Sequence, residues 1–450
     1  MKTLADGSLT AANTADNLYD SPAAVAPIEE AEENETYLRV TLRLMPFLLI
    51  AYIFAYIDRI NVGFAKLHML GDLSFSNAVY GLGAGLFFIG YFCFEVPSNV
   101  LMHRIGARRT ISRIMVLWGL ISAGMAFVET PAQFYAMRFL LGVAEAGFYP
   151  GILLYLTYWY PSARRAKAIA LFMLAIPFAG VFGAPLSGWL LDSMNGVHGM
   201  KGWQWMFIVE ALPSVLCGVF AFFYLDDKVS DAKWLTPRQR AIIEGNMEAD
   251  EAQIQGHAGL RELFCDPRVL RLAAICFCML LGQYALTFWL PSLIKQAGVE
   301  TALDVGMLTA IPFSVAAIAM VVLGRSSDNK GERRLHLCFS LLLGAAGLIC
   351  SGLFSNNLPL ALLSLTVASA GILAATPIFW TLPSAILKGV SSAAGLALIC
   401  AFGSLAGFVS PYMIGWVKDT TQSTDAALFV LAMMLVLGGV ITLTIPKAKR

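Results

Sequence analysis

The sequence predicts an all-α membrane protein, in which twelve transmembrane helices form two pseudo-symmetric bundles of six. Three observations predict this fold class. First, 58% of the 450 residues are hydrophobic and only 14% are charged, whereas soluble domains carry about 25% charged residues. Second, apolar runs near the length of about 20 residues that crosses a bilayer occur twelve times. Third, one long polar stretch, 225–267, separates six runs from six.

The apolar runs are predicted to be helices because each of them is long and continuous. Strands of a membrane β-barrel would alternate apolar and polar residues over segments of about 10 residues. The many glycines, 39 in all, suit helices that pack closely in lipid. The predicted spans lie near 42–62, 77–101, 111–129, 132–157, 166–192, 203–224, 268–294, 304–325, 335–354, 358–385, 391–417 and 425–446.

The polar segments divide the chain into four parts. Residues 1–36 are polar and acidic and lack the basic and apolar regions of a signal peptide, so we expect a disordered cytosolic tail. The first bundle is expected over 37–224, a cytoplasmic linker over 225–267 and the second bundle over 268–446.

Lysine and arginine are distributed unevenly between the two sets of loops. One set holds basic clusters within 104–113, 164–167, 325–334 and 447–450, and the central stretch adds more. The opposite set holds only Lys66, Lys201, Lys295 and Lys418. Cytoplasmic loops carry the excess of positive charge. Both termini and the central stretch are therefore expected in the cytoplasm, with the chain spanning the inner membrane of a bacterial cell several times.

The two halves repeat short motifs at nearly the same distance. A basic motif after span two recurs after span eight, where Arg334 follows Arg109 by 225 residues (334 − 109). Parallel repeats of this kind are typical of transporters, whose site lies near the bilayer midplane between the halves. The motifs are Arg104, Gly106, Arg108 and Arg109 against Asp328, Gly331, Arg333 and Arg334, and Pro185, Gly188, Trp189 and Asp192 against Pro411, Gly415, Trp416 and Asp419.

These loops and several span motifs resemble one known group of transporters. Over about residues 38–445 the chain is similar to the anion:cation symporter family of the major facilitator superfamily, and among its members most similar to bacterial permeases for tartrate, 4-hydroxyphenylacetate and phthalate. The resemblance implies the twelve-helix major facilitator fold. Its motifs read RIGARR (104–109), DNKGERR (328–334), YIDRIN (56–61), GVAEAGF (142–148), KGWQW (201–205) and PIFWT (377–381).

Four ionisable residues stand out inside the predicted spans, Asp58 and Arg59 in span one and Arg138 and Glu145 in span four. Each costs at least about 2.5–3.5 kcal/mol on insertion scales. They could form two ion pairs that fix helix packing, or a transport site in which Arg59 anchors the substrate, since a guanidinium grips a carboxylate with two hydrogen bonds. In that hypothesis Glu145 is the main proton-coupling carboxyl, Asp58 is the second, and Arg138 pairs with either acid when substrate is absent.

Uncharged residues of both halves are candidates for further substrate contacts. The resemblance implies a site that includes Tyr56, Arg59 and Tyr91 from the first half and Trp380 and Ser384 from the second. Gln283 and Thr381 are polar residues that add to this set. The family commonly has an Asn-Ser pair in span eleven, where this chain has Cys400 in the stretch LICAFGSL (398–405). A less polar pocket favours an aromatic or less hydroxylated carboxylate over a polyhydroxy acid.

Charged residues at the ends of spans are candidates for gating. Asp192 and Asp328 are expected to pair with loop arginines, and Glu95 is expected to contact the loop 104–109. Glu210 in span six has no assigned role. The gating candidates are Arg104, Arg108, Arg109, Asp192, Asp328, Arg333 and Arg334.

The predicted function is proton-coupled uptake of a small organic carboxylate by alternating access, carried out by a functional monomer in the lipid bilayer. The alternative within the same fold is a drug or organic-acid/proton antiporter, although Ala184 stands where the antiporter motif of span five has glycine. A membrane sensor that binds without transport is a further alternative. No nucleophile–base pair points to an enzyme, and no metal or cofactor is expected besides the proton. The net charge of +1 gives no reason to expect a nucleic-acid partner.

Overall fold

The computed structural model describes residues 22–252, 266–386 and 390–445 of the protein, which form fifteen α-helices and three short 3₁₀-helices. The prediction of an all-α membrane protein is confirmed, because twelve helical segments of the described chain are long and apolar enough to cross a bilayer. The helices are α1 (Pro22–Leu73), α2 (Asn77–Ile105), α3 (Ala107–Gly124), α4 (Pro131–Glu145), α5 (Phe148–Thr157), α6 (Ser162–Met173), α7 (Ala175–Ser193), α8 (Gly202–Tyr224), α9 (Pro237–Ala252), α10 (Pro267–Gln296), α11 (Ala302–Lys330), α12 (Arg334–Leu353), α13 (Leu358–Ile386), α14 (Val390–Thr421) and α15 (Asp425–Leu443).

Two of the predicted spans are broken into two helices. Span four consists of α4 and α5, and span five of α6 and α7. The break in span four follows Glu145, where Gly147 has a φ of +88°. A side chain at Gly147 would also meet the Ser98 hydroxyl, 2.4 Å from its Cβ. Glycine is therefore required where α4 ends and α5 begins, and the break places Glu145 at a helix end inside the membrane.

The first helix is longer than the apolar run from which it is predicted. α1 begins at Pro22, so the expectation of a disordered tail over 1–36 is wrong for 22–36, while 1–21 lie outside the described residues. Acidic residues of this extension pair with basic residues on the same end of the molecule: Glu32 lies 2.5 Å from Arg238 and Glu33 3.1 Å from Arg164. These ion pairs connect α1 to the start of α6 and to α9, a helix within the predicted linker.

The two halves meet through equivalent contacts that follow the sequence repeat. At the end of α7, Asp192 accepts a hydrogen bond from the backbone N–H of Leu303 at the start of α11 (2.8 Å). At the end of α14, Asp419 accepts hydrogen bonds from the backbone N–H groups of Asn77 (3.2 Å) and Ala78 (2.6 Å) at the start of α2. A carboxylate is stabilised at a helix N-terminus by free N–H groups and the helix dipole. The repeated aspartates thus join each half to the other.

Repeated glycines allow the same helices to approach closely. A Cβ at Gly188 of α7 would lie 2.3 Å from the Ala302 carbonyl oxygen, and one at Gly415 of α14 would lie 2.3 Å from the Asn77 carbonyl oxygen. Together with the aspartates, these contacts close one end of the molecule, at which α1, α7, α10 and α14 finish. We name it the sealed end. Its loops carry the few lysines of the basic-poor set.

Candidate functional site

A cavity lies between the two halves, and the contacts of the sealed end separate it from that end of the molecule. It encloses about 700 Å³ of empty space, part of which is open to solvent. Its wall contains one basic side chain, Arg59, and one carboxyl group, Glu95, and most other lining side chains are aromatic or apolar. The lining residues of the described chain are Tyr52, Tyr56, Arg59, Phe88, Tyr91, Glu95, Tyr149, Met173, Ile176, Leu280, Gln283, Tyr284, Thr376, Trp380, Cys400, Gly403 and Ser404.

Helix periodicity explains why α1 contributes three residues to the cavity. Tyr52, Tyr56 and Arg59 are spaced i, i+4 and i+7, which places them on one face of the helix. The guanidinium carbon of Arg59 lies 5.6 Å from the ring centre of Tyr56, 5.3 Å from that of Phe87 and 5.9 Å from that of Tyr91. Aromatic faces attract a desolvated cation. They hold Arg59 at the wall of the cavity.

Glu145 is the ionic partner of Arg59. Its carboxylate accepts a hydrogen bond from Nη2 of Arg59, and the two side chains are 4% and 9% exposed. The pair joins α1 to the end of α4 across the first half. Because removing one member leaves an uncompensated buried charge, Arg59 and Glu145 form one electrostatic unit.

Arg138 lies elsewhere than predicted. Its guanidinium carbon is 5.1 Å from the ring centre of Phe87, and Nε and one terminal nitrogen have no hydrogen-bond partner among the described residues. The expected pairing of Arg138 with Glu145 or Asp58 is therefore absent from this structure. The physical reason is that α4 places Arg138 seven residues before Glu145, about 10 Å along the axis, while Arg59 reaches Glu145 from α1.

Asp58 faces the interior of the first half and not the cavity. Its carboxylate accepts hydrogen bonds from the Trp118 indole N–H (2.9 Å), the Ser122 hydroxyl (2.9 Å) and the Ser214 hydroxyl (2.8 Å). Consecutive helical residues point about 100° apart, so Asp58 and Arg59 diverge toward different surroundings. A single cavity that collects two acids and two bases is not what the structure has.

The second half completes the cavity with a hydrogen-bonded network around Gln283. The Gln283 amide nitrogen donates to the Tyr56 hydroxyl (3.3 Å), and its carbonyl accepts from the Thr376 hydroxyl (3.1 Å). The Tyr56 and Thr287 hydroxyls lie 3.1 Å apart. This network connects α1 to α10 and α13, so a ligand at Arg59 would contact both halves.

Two residues of α13 that are predicted to contact substrate are not found among the described residues that line the cavity. Thr381 donates its hydroxyl to the Ile378 carbonyl (2.7 Å), and the threonine that lines the cavity is Thr376. Ser384 lies on the same helix, but its side chain is outside the described residues. Trp380, between them, lines the cavity as predicted.

Two other acids are placed by the structure alone. Glu95 lines the cavity beside Tyr91, although contact with the loop 104–109 is the sequence expectation. Glu210 is 2% exposed and accepts a hydrogen bond from Ser187 (2.6 Å) inside the first half. Helix direction explains the difference for Glu95, because it follows Tyr91 by four residues and shares its face.

The gating candidates divide between the two ends of the molecule. Asp328 pairs with Arg333, as expected, and Arg334 donates to the Ile445 carbonyl (2.5 Å). Arg108 pairs with Asp227 of the linker, with 3.9 Å between Nε and Oδ2. Arg104 and Arg109 lie exposed on the same loop. Asp192 does not form the expected pair with a loop arginine in the described structure. It lies at the sealed end, where its carboxylate accepts a hydrogen bond from the N-terminus of α11.

Several lining residues were not among the sequence candidates. Tyr52 could have been found from its spacing to Tyr56 and Arg59, and Leu280 from its spacing to Gln283. Phe88 and Tyr149 could likewise have been found from their spacing to Tyr91 and Glu145. Tyr284 carries no such signal, because aromatic residues are as common in helix packing as in ligand sites. Within the described chain no group of three or more His, Cys, Asp or Glu side chains could hold a metal ion.

Comparison with known proteins identifies the family. Residues 48–411 match the family model described as Major Facilitator Superfamily. The chain is 47% identical to the "Putative metabolite transport protein NicT" of Pseudomonas putida over 91% of this chain and 94% of that protein, and 45% identical to a "Putative tartrate transporter" of Agrobacterium vitis over 92% and 95%. A "Quinolone resistance transporter" of Acinetobacter baumannii is 42% identical over 91% and 94%.

Solved structures agree on the fold. A D-xylose–proton symporter superimposes with a TM-score of 0.71 at 16% identity, covering 91% of this chain and 98% of the symporter. A bacterial homolog of the human lysosomal transporter Spinster, inward-facing and occupied, gives 0.70 at 16% identity, covering 89% and 95%. With a family match over most of its length and a cavity between two six-helix halves, the chain belongs to the major facilitator superfamily and is a multi-pass membrane transporter, not an enzyme.

Proposed function

We propose that the protein takes up a small organic carboxylate together with protons by alternating access, as a monomer in the bacterial inner membrane with both termini in the cytoplasm. The observation that carries this proposal is Arg59, a buried guanidinium in the wall of a cavity that both halves line. A fixed positive charge in a cavity of low polarity selects an anion. The relatives named for tartrate transport support a carboxylate as that anion.

The pairing of Arg59 with Glu145 supplies a means of coupling. A substrate carboxylate that binds Arg59 competes with Glu145 for the same guanidinium. A buried carboxylate without a cation is strongly disfavoured in its charged form, so Glu145 takes up a proton when the substrate displaces it. Release of the substrate restores the ion pair and returns the proton. Glu145 is the main coupling group in this mechanism, and Asp58 is a second acid that is buried away from the substrate.

The membrane potential explains why uptake of an anion would be coupled to protons. An interior that is negative by 100 mV opposes admission of each negative charge by about 2.3 kcal/mol. Two protons per monoanion, or three per dianion, would let the potential drive uptake instead of opposing it. Glu145 and Asp58 provide two acids for this role, and Glu95 is a third carboxyl in the cavity wall.

The cavity wall indicates which carboxylates fit. Aromatic rings of Tyr52, Phe88, Tyr149, Tyr284 and Trp380 dominate the lining. The uncharged hydrogen-bonding groups are mainly tyrosine hydroxyls, since the Gln283 amide is already bonded to Tyr56 and Thr376 and Cys400 occupies the position where the resemblance implies an amide. An aromatic or sparsely hydroxylated acid is therefore favoured over a sugar acid.

The test is transport by purified protein in proteoliposomes. We expect acid outside and a negative interior to drive accumulation of at least one labelled acid among tartrate, phthalate and 4-hydroxyphenylacetate, with sugar acids transported more slowly. Addition of that acid should also alkalinise the outer medium. Saturable binding without flux would contradict transport, and flux that ignores both gradients would contradict proton coupling.

A second candidate function has one observation in its favour. The relative from Acinetobacter baumannii is named for quinolone resistance, and quinolones are themselves aromatic carboxylic acids. The same Arg59 site would then serve efflux of an aromatic acid in exchange for protons. Everted vesicles separate the two functions: efflux predicts proton-driven accumulation of a quinolone in everted vesicles, and uptake predicts accumulation of the carboxylate in right-side-out vesicles.

A further inference from the structure

The sealed end contains a buried lysine without a hydrogen-bonding partner. Lys66 of α1 is 5% exposed, and its Nζ donates to no acceptor among the described residues. It lies instead over aromatic rings, 3.0 Å from the ring centre of Trp289 on α10 and 4.8 Å from that of Tyr80 on α2. A cation–π contact compensates only part of the cost of burying an ammonium group. The sealed end therefore holds a lysine amine that lacks an acceptor among the described residues.

Trp289 provides a second donor at the same place. The residue is fully buried, and its indole Nε1 also has no hydrogen-bond partner in the described chain. Buried indole N–H groups usually find an acceptor. Lys418 of α14 approaches the same ring, with Nζ 5.8 Å from its centre. Two lysines, one from each half, thus approach the ring of Trp289, whose N–H is a further donor. Each of the three groups suits an anionic oxygen.

The acid nearest to this group is already occupied. Asp419 follows Lys418, but its carboxylate accepts three hydrogen bonds, from the backbone and side-chain nitrogens of Asn77 and from the backbone of Ala78. Lys295, the lysine of α10, donates to the Leu67 carbonyl (3.3 Å). The donors that contact or belong to Trp289 and lack an acceptor in the described chain are therefore the Lys66 amine and the indole N–H.

Lys66 also lies in register with the central anchor. It follows Arg59 by seven residues on α1, which places it on the same helix face about 10 Å nearer the sealed end. Both face the second half: Arg59 lines the cavity and Lys66 touches Trp289. At this distance, one carboxylate would bind Lys66 first and Arg59 second on its way into the cavity.

We propose that Lys66, Trp289 and Lys418 form an outer binding subsite for the carboxylate of the transported anion, which becomes accessible when the two halves separate at the sealed end. This inference rests on the proposed transport of an organic anion, and it adds a second recognition site to the Arg59 cavity.

The subsite links binding to the state of the gate. A ligand shifts a conformational equilibrium only when it binds one state more tightly than the other. In the closed gate Lys66 is covered by Trp289, so an anion at Lys66 binds only the open state and stabilises it. The gate closes again when the carboxylate has moved on to Arg59 and Lys66 returns to the indole ring. The sealed end therefore closes more readily when the Lys66 subsite is empty than when an anion is still bound there.

The test compares transport kinetics from the two sides of the membrane. In the Lys66→Met variant we expect the KM for the carboxylate on the outer side to rise about tenfold, which corresponds to about 1.4 kcal/mol, with the KM on the inner side within twofold of the wild type. Lys66→Arg, which keeps the charge, should retain a nearly normal outer KM. Lys418→Met should shift the outer KM in the same direction and serves as the second variant if Lys66→Met does not insert into the membrane.

Lys201→Met is the matched control. Lys201 is another lysine of the same set of loops, but it pairs with Asp72 (3.3 Å) and is 55% exposed, so its loss should leave both KM values unchanged. Opposite changes of the inner and outer KM in the Lys66→Met and Lys418→Met variants would show that these residues only shift the equilibrium between the two states, and would overturn the subsite. An unchanged outer KM in both would overturn it as well. Failure of the wild type to transport any carboxylate would instead refute the proposed function.

Discussion

At the scale of single residues, the proposed function depends on the shape of one guanidinium. Arg59 binds Glu145 and lies among three aromatic rings. Arg59→Lys preserves the positive charge but not the planar fork that can hold two carboxylates or exchange one for the other. We expect the apparent affinity for the carboxylate to fall about tenfold or more. The measurement is substrate-induced thermal stabilisation of purified protein, and wild-type affinity in this variant would exclude a bidentate contact.

The second prediction at this scale concerns Glu145. Glu145→Gln retains the shape of the side chain but cannot release a proton. We expect the variant to exchange labelled for unlabelled substrate across a membrane without a gradient, and to lose proton-driven accumulation. Glu210→Gln is the matched control, because Glu210 is equally buried in the first half but bonded to Ser187, away from the cavity wall. Full accumulation by Glu145→Gln would remove Glu145 from the coupling mechanism.

At the scale of the helices, two aspartates set the stability of the sealed end. Asp192 and Asp419 accept hydrogen bonds from backbone N–H groups at the N-termini of α11 and α2, next to the N-cap residues of these helices. Loss of a side-chain acceptor at a helix N-terminus costs roughly 1 kcal/mol. Asp419→Ala should therefore shift the equilibrium about fivefold toward the state that is open at this end. Asp192→Ala should act similarly, because the two contacts are related by the sequence repeat.

The distance between spin labels would measure that shift. Glu129 follows α3 in the first half and Asn356 follows α12 in the second half, and both are exposed at the sealed end. Labels at these two positions should show a longer distance in a larger fraction of molecules after Asp419→Ala. Asp328→Ala is the control, since Asp328 lies at the opposite end of α11 and pairs with Arg333. An unchanged distance distribution would mean that the aspartates do not hold this end closed.

At the scale of the whole molecule, the distribution of basic residues predicts the orientation in the membrane. The sealed end carries few lysines and should face the periplasm, and the end with loop 104–113 and helix α9 should face the cytoplasm. In intact cells, a membrane-impermeant thiol reagent should modify a cysteine introduced at Asn356 and not one introduced at Arg238. Both positions are exposed, so reversed labelling would invert the topology and the direction of transport proposed here.

Much of the architecture follows from the sequence alone. The number of spans and the helical class are determined by hydrophobic length, because a backbone in lipid must satisfy its own hydrogen bonds. The recurrence of the motif that ends in Asp192 as the motif that ends in Asp419 also predicts, from the sequence alone, that the two halves are related by pseudo-symmetry. By contrast, the helical part of 22–36 depends on ion pairs with Arg164 and Arg238, which come from distant segments.

The arrangement of charges was decided by the tertiary structure. The sequence identifies Asp58, Arg59, Arg138 and Glu145 as expensive residues in a membrane, because the cost of burying charge is independent of the fold. It does not say which acid meets which base, since neighbouring residues on a helix point in different directions and partners lie on other helices. Only the tertiary placement of α1 relative to α4 and α3 pairs Glu145 with Arg59 and Asp58 with the indole of Trp118.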